Sequence, residues 1–210
     1  MLGVIQKNIF LRTNMVDPIS IPPYIITEIS ELQKDNFEHN GQILWKDNEL
    51  VYNHQKGQTM DDCKTCEINW HTHPSDYVNL YPDHPSAIDM KYIYKVTCKE
   101  ATVGTHIVFT PKYIYAIRYN CKNAIREVID FLTIQARIDT TFNALAKKCD
   151  RGSEEFRDKW INSFRRMGYT IDIFSYDDSI VVKRKSPYNP SIPWPVLLIP
   201  LLYFVSKTFV

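Results

Sequence analysis

The sequence predicts an α+β fold in which helices are layered against a mixed β-sheet. Segments with helical spacing of apolar residues alternate with β-rich segments, in the order helix, strands, helix, strands, helix, helix, strands. The composition agrees with a folded protein, because 44% hydrophobic and 23% charged residues in a chain of 210 provide enough apolar surface for one ordinary core.

The first half of the chain predicts one helix and then a group of strands. Prolines open the segment "IPPYIITEISELQKDN", and apolar residues recur in it at near-helical spacing, which predicts a helix over residues 23–34. Residues 37–53 predict two strands joined at the turn "KDN", and Gly41 in the first of them favours a close backbone approach or a bulge. The segment "EINWHTHP" predicts a strand that runs out into a loop.

The middle of the chain predicts a capped helix and a hairpin. In "PSAIDMKYIYKV", Ser86 has the position of an N-cap and Asp89 follows three residues later as its partner in a capping box. The segment "THIVFTPKYIYAIRYN" contains two β-rich runs that are broken at "TPK", which predicts a hairpin.

Two helices and a second hairpin are predicted for the rest of the folded chain. Residues 123–148 have an amphipathic pattern, with apolar residues at positions 125, 128, 129, 132, 136 and 138. The segment "SEEFRDKWINSFRRMG" predicts a helix that begins after Ser153 and ends at Gly168. The final segment, "YTIDIFSYDDSIVVKRK", predicts a hairpin that turns at Asp177 and Asp178.

The net charge and the cysteines narrow the classes of function. A formal net charge of +1, without a long basic block, gives no electrostatic footprint for nucleic acid, so we expect no nucleic-acid partner. The five cysteines are an odd number in a chain without a signal-peptide pattern at its start. We therefore expect reduced thiols in a reducing compartment.

The C-terminal end differs from the rest of the chain. Residues 192–205, "IPWPVLLIPLLYFV", carry no charge, and they follow the basic cluster "KRK" and a proline-containing linker over residues 185–193. Two interpretations are open. The tail, residues 192–210, is either a membrane anchor that leaves the folded part on the cytoplasmic face, or an apolar segment buried on this chain or on a neighbouring subunit. The run is short for a membrane span of about 20 residues, and its prolines oppose a regular helix.

The densest group of polar side chains lies in "CEINWHTHPSDYVNLYPDHPSAIDM". His71 and His73 are two residues apart, so both rings project from the same face of a strand. A catalytic zinc needs three ligands from His, Asp or Glu, and Asp89 near the start of the next helix is a natural third. Glu38 on a preceding strand is a candidate general base, and Ser86 is a candidate donor to a developing oxyanion.

Each of these residues also has an ordinary structural explanation. Ser86 and Asp89 form a helix-capping pair, and Glu38 alone would be a solvated strand charge. A single His-x-His is more often a surface or hydrogen-bonded pair than a ligand pair. Cys63 and Cys66 could form a structural zinc site with the histidines, although the spacing is far shorter than in zinc fingers. The hypothesis of a catalytic metal depends on the conjunction of Glu, HxHP and SxxD in that order.

The three motifs "FEHNGQILW", "NWHTHP" and "PSAID" resemble, in this order, the JAMM/MPN+ zinc metalloproteases, and the resemblance covers roughly residues 22–118. It implies an MPN-like mixed sheet with flanking helices, which we place at residues 1–122. A helical and β-hairpin extension would follow at residues 123–185, and the linker and apolar tail at residues 186–210.

The resemblance also implies an activity and roles for the motif residues. The protein would be a zinc-dependent isopeptidase that cleaves ubiquitin or ubiquitin-like conjugates through a water activated by the zinc. His71, His73 and Asp89 would ligate the zinc. Glu38 would act as the general base and then as the acid, and Ser86 would donate a hydrogen bond to the scissile carbonyl oxygen.

One departure from the family pattern concerns the loop between the two later motifs. Eleven residues lie between Pro74 and Ser86, more than family members usually have, and the extra residues could form a loop over the cleft. This loop carries three rivals to Asp89 as a metal ligand: Asp76, Asp83 and His84. Glu38 likewise has three rivals as the base: Glu28, Glu31 and Glu49.

The longer loop and the apolar tail leave a second hypothesis open. The protein would then be a non-catalytic MPN-fold subunit of a large membrane-associated assembly, such as the capsid of a virion.

Overall fold

A six-stranded mixed sheet forms the centre of the protein, as seen in a computed structural model that describes residues 18–57, 66–75, 83–99, 103–120 and 127–182. These residues belong to one compact unit, Met15–Lys185. The predicted α+β class is confirmed, because strands and helices are both present in quantity and the sheet is mixed. The helices and strands of the described part are β1 (Ile19–Ser20), α1 (Pro23–Glu31), β2 (His39–Lys46), β3 (Glu49–Lys56), β4 (Cys66–Thr72), α2 (Ala87–Tyr94), β5 (Val103–Phe109), β6 (Ile114–Tyr119), α3 (Glu127–Ala146), α4 (Glu154–Met167), β7 (Tyr169–Phe174) and β8 (Val181–Val182).

The strand order in the large sheet is β3-β2-β4-β5-β6-β7. All neighbouring strands are antiparallel except β4 and β5, which run parallel and place His71 beside Val108. A parallel pair needs a crossover connection, and the chain between β4 and β5 forms α2 and a short π-helical turn, Lys95–Lys99. This crossover brings the first turn of α2 close to the end of β4.

Two different layers cover the two faces of the sheet. On one face, α1 and the two-stranded sheet of β1 and β8 pack on a cluster that includes Ile43, Trp70 and Phe109. On the other face, α2, α3 and α4 enclose an aromatic core around Tyr94 and Trp160. All seven residues of β5 are buried, because this central strand is covered on both sides.

Local sequence signals explain where three of the helices begin and where α4 ends. Proline occupies the first position of α1, where a missing N–H costs nothing. Ser86 caps α2 in a reciprocal capping box with Asp89, and Ser153 caps α4. Gly168 ends α4 with a φ of 106°, a left-handed conformation that favours glycine. The predictions for these helix ends are confirmed.

The structure also confirms a close backbone approach at Gly41. This residue lies opposite Trp70 in the pairing of β2 with β4. A Cβ atom at Gly41 would lie 1.9 Å from the backbone oxygen of Asn53 and 2.9 Å from Cζ2 of Trp70. Only glycine therefore lets β2 fit between β3 and the buried indole ring.

The prediction of a final hairpin is wrong. A turn does form at Asp177 and Asp178, but the strands on its two sides join different sheets. β7 pairs with β6, whereas β8 pairs with β1, with Val182 opposite Ile19. Ile180 and Val182 are buried in the cluster under α1, and this burial explains why the chain leaves the main sheet after β7.

The predicted apolar face of α3 is wrong in part. Leu132 and Ala136 are exposed, and Leu132 keeps 70% of its surface in contact with solvent. Ile138 of the predicted set is buried, and Ile134, four residues before it and outside that set, is buried with it in the core that also contains residues of α4.

The expectation of reduced cysteines is wrong for two of the described residues. Cys66 and Cys98 are disulfide-bonded, whereas Cys149 is free. An odd number of cysteines leaves one thiol over, but it does not exclude bridges among the others. A bonded Cys66 cannot serve as a thiolate ligand, so the alternative zinc site with Cys63 and the histidines is also wrong.

Several predictions fall on residues that the structure does not describe. The apolar run at 192–205, Cys63 and Asp76 are among these residues. Within the described part of the chain, every helix is too short or too polar to cross a membrane.

Candidate metal centre

His71, His73 and Asp89 form a compact group at the end of β4 and in the first turn of α2. The Nε2 atoms of His71 and His73 are 3.2 Å apart. The Asp89 carboxylate lies 3.4 Å from Nε2 of His71 through Oδ1, and 3.2 Å from Nε2 of His73 through Oδ2. Ligands about 2.0–2.1 Å from a tetrahedral zinc are separated by about 3.3 Å, so these distances match the edges of a zinc coordination shell.

Burial makes this group unusual. His71 is 1% exposed, His73 is 2% exposed and Asp89 is 8% exposed. Burial raises the pKa of the Asp89 carboxyl, but the charges and hydrogen bonds of His71 and His73 outweigh it and hold that pKa well below its usual range. Among the described residues, it is the only group of three or more metal-type side chains whose ligand atoms all lie within 4.8 Å of one another.

The capping box of α2 orients the Asp89 side chain. The backbone N–H of Ser86 donates to Oδ2 of Asp89 at 2.6 Å, and the N–H of Asp89 donates to Oγ of Ser86 at 3.1 Å. These bonds leave Oδ1 directed at His71. The capping interpretation and the metal-ligand interpretation are therefore compatible, because the cap holds the carboxylate in the position where a ligand is needed.

Glu38 lies immediately before β2 and not within it, yet the structure brings it to the same group. Asn40 pairs with His71, and continuing this antiparallel register by two residues places Glu38 opposite His73 on the same face of the sheet. Burial raises the pKa of the Glu38 carboxyl, while His71 and His73, where they are protonated, partly oppose the shift. A carboxyl in this setting holds a proton more readily than a solvated one does.

The rival residues of the described chain lie elsewhere. Glu28 hydrogen bonds with Tyr52, and Glu31 pairs with Lys34 on the surface. Glu49 is exposed at the start of β3.

The described rivals in the loop before α2 are not part of the group formed by His71, His73 and Asp89. Asp83 forms an ion pair with Lys112 at 2.9 Å. His84 is buried and its Nδ1 donates to the carbonyl oxygen of Pro85 at 3.0 Å. Burial lowers the pKa of His84.

A residue from the C-terminal half of the chain contacts Pro85, next to the site. Nε1 of Trp160 in α4 donates to the Pro85 carbonyl oxygen at 2.8 Å. The Trp160 ring is fully buried in the core under α2. Through this bond α4 holds Pro85, the residue just before the Ser86 cap. The sequence analysis did not predict this role for α4.

Gln33 fixes the end of β4. Its side-chain Nε2 donates to the carbonyl oxygen of His73 at 3.3 Å, and its own Oε1 accepts a hydrogen bond from Tyr176 at 2.7 Å. No sequence motif marks Gln33, since its contacts come from residues far away in the chain.

A buried polar chain lies behind His71. Nδ1 of His71 is 2.8 Å from Nε2 of His106 in β5, and Nδ1 of His106 is 2.5 Å from Oδ1 of Asn69 in β4. Nδ2 of Asn69 donates to the hydroxyl of Tyr92 in α2 at 3.1 Å. His106 is completely buried, and this burial holds its pKa well below the usual range. The only sequence signal for this chain was a single histidine inside the apolar strand segment "THIVF".

Comparisons of the chain with models of known protein families, with curated proteins and with solved structures find no match. The interpretation of the site therefore depends on its own geometry and chemistry.

Proposed function

We propose that this protein is a zinc-dependent hydrolase of the JAMM type that cleaves amide bonds, with isopeptide bonds to ubiquitin or ubiquitin-like proteins as the substrate class. The observation that carries the proposal is the buried group of His71, His73 and Asp89, with the Glu38 carboxyl on the same face of the sheet. The order of the motifs along the chain supports the JAMM type, as the resemblance described above implies.

The donor set fits zinc better than the hard cations. Two imidazoles and one carboxylate are a ligand combination that zinc uses in catalytic sites, whereas magnesium and calcium prefer oxygen ligands. A zinc ion held there would polarise a substrate carbonyl group and lower the pKa of a water at its open position.

The residues around the ligands would carry the remaining chemistry. The Glu38 carboxylate would accept a proton from the attacking water and later deliver it to the leaving amine. A raised pKa suits a group that must both take and release a proton. The Ser86 hydroxyl accepts a bond from the Asp89 N–H, and its own proton can donate to the carbonyl oxygen as negative charge develops there.

The first experiment measures metal content and hydrolysis on the same protein samples. Purified protein is analysed by elemental mass spectrometry, and its activity is tested on a panel of diubiquitins and on an isopeptide-linked fluorogenic conjugate. We expect close to one zinc per chain and cleavage that stops when a chelator removes the zinc. We expect Glu38→Gln to bind zinc normally but to lose at least about 100-fold in rate, since general acid–base catalysis contributes 10²–10⁴-fold.

Glu31→Gln is the matched control, because Glu31 is a rival of Glu38 in the sequence but pairs with Lys34 on the surface. It should retain the wild-type rate. Equal rates for wild type and Glu38→Gln would refute the role of Glu38 as the base. Stoichiometric zinc without hydrolysis of any conjugate would instead favour the non-catalytic subunit of a larger assembly.

A further inference from the structure

A buried series of hydrogen bonds links the side chains of His71, His106, Asn69 and Tyr92. The three proposed metal ligands alone do not explain it. His106 and Asn69 lie on the two parallel central strands and are 0% and 4% exposed. Burying a polar side chain in such a strand costs free energy unless its polar atoms form hydrogen bonds. The parallel register places Asn69 directly beside His106, so this pair is part of the sheet itself.

The hydrogen bonds along this chain specify where the protons lie. Asn69 directs its amide oxygen at Nδ1 of His106 and its amide nitrogen at the Tyr92 hydroxyl. An amide oxygen only accepts, so Nδ1 of His106 must carry a proton. Nε2 of a neutral His106 is then an acceptor, and the proton in its 2.8 Å bond to His71 belongs to Nδ1 of His71.

In the neutral form of His71, the form that binds a metal, this arrangement leaves a lone pair on Nε2, the atom that lies among the three proposed ligands. A neutral imidazole carries one proton, so a proton on Nδ1 excludes one on Nε2. Metal-binding histidines generally need such a partner, because it holds both the tautomer and the ring orientation.

We propose that His106 and Asn69 are positioning residues, and that they hold His71 in the tautomer and orientation that let Nε2 bind the metal. This inference rests on the proposed metal site and deepens it. His106 acts through His71 and touches neither the substrate nor the metal. The role of Asn69 is one step further from the metal, because it sets the proton position on His106.

The test compares the zinc affinity of variants in which His106 or Asn69 is replaced. The dissociation constant is measured by competition with a chromophoric chelator, and cobalt(II) absorption reports the coordination geometry. His106→Leu removes the acceptor for His71 and should weaken zinc binding about 10- to 100-fold. Asn69→Leu should weaken it by a smaller factor. His106→Gln supplies an amide oxygen near the original Nε2 position and should retain most of the affinity.

His39→Leu is the matched control. His39 is also a buried, hydrogen-bonded histidine next to β4, but it faces the opposite side of the sheet and bonds to Asp35. It should lose stability in urea without losing zinc affinity. Unchanged affinity in His106→Leu, or equal losses in His106→Leu and His106→Gln, would overturn the inference while leaving the zinc site intact. A wild-type protein that binds no zinc would overturn the proposed function and the inference with it.

Discussion

The substitution Gly41→Ala tests how tightly the sheet is built around the strand that carries the histidines. The new Cβ would lie 1.9 Å from the backbone oxygen of Asn53, whereas ordinary contact begins near 3.4 Å. β2 and β3 would have to separate locally by about 1.5 Å, a displacement that breaks the neighbouring interstrand hydrogen bonds. The Trp70 ring, 2.9 Å from the same Cβ, would also have to move.

The expected cost follows from these displacements. Each broken backbone hydrogen bond in a buried sheet costs about 1–3 kcal/mol, and overpacking a core costs a further 1–3 kcal/mol. We therefore expect Gly41→Ala to lower the free energy of unfolding by about 3 kcal/mol or more. The loss is a large fraction of the stability of an ordinary domain.

This loss is measured by unfolding the protein in urea, with tryptophan fluorescence as the probe of unfolding. Gly152→Ala is the matched control, because the nearest atom to its new Cβ is a flexible carboxylate oxygen of Asp150 at 3.9 Å. We expect Gly152→Ala to change the free energy of unfolding by less than about 0.5 kcal/mol. If Gly41→Ala also stays within about 1 kcal/mol of wild type, the close approach of β2 to β3 is not as tight as described.

Two further predictions concern the chain just before α2. Trp160→Phe removes the donor to the Pro85 carbonyl oxygen and leaves a small cavity, so it should destabilise the protein by about 2–3 kcal/mol in urea, while Trp45→Phe at a half-exposed ring should change little. Burial lowers the pKa of His84, so the folded protein binds this proton more weakly than the unfolded chain does, and stability falls as the pH drops below about 6.5. In chelator-treated protein, His84→Asn should remove at most about 1.3 kcal/mol of the stability difference between pH 7 and pH 5.5. An unchanged pH dependence in this variant would show that His84 titrates normally in the fold.

The features that could be predicted from the sequence are those that depend on neighbouring residues. The caps at Ser86 and Ser153 and the stop at Gly168 are local, because each side chain or φ angle acts within a few residues of itself. The pairing of His71 with His73 is equally local, since a strand puts alternate residues on one face.

The features that could not be predicted come from contacts between distant segments. The partner of β8 is a two-residue strand, with Ser20 opposite Val181 and Ile19 opposite Val182, and no turn signal at Asp177 indicates this distant pairing. His106 reaches His71 only because β4 and β5 are parallel neighbours, and a sequence does not specify which strands pair. The buried face of α3 depends on where α4 packs, so the apolar positions alone placed Leu132 on the wrong side.

The capping box at the start of α2 has a consequence for the proposed metal site. Asp89 is ordered by Ser86, and the histidines are ordered by a buried strand, so little conformational entropy remains to be lost when an ion arrives. Folding is driven by the two apolar clusters on the faces of the sheet, in contrast to zinc fingers, which unfold without their ion. If the proposed site holds zinc, the ion would bind to a protein that is already folded, so protein that has lost zinc would take it up again without refolding.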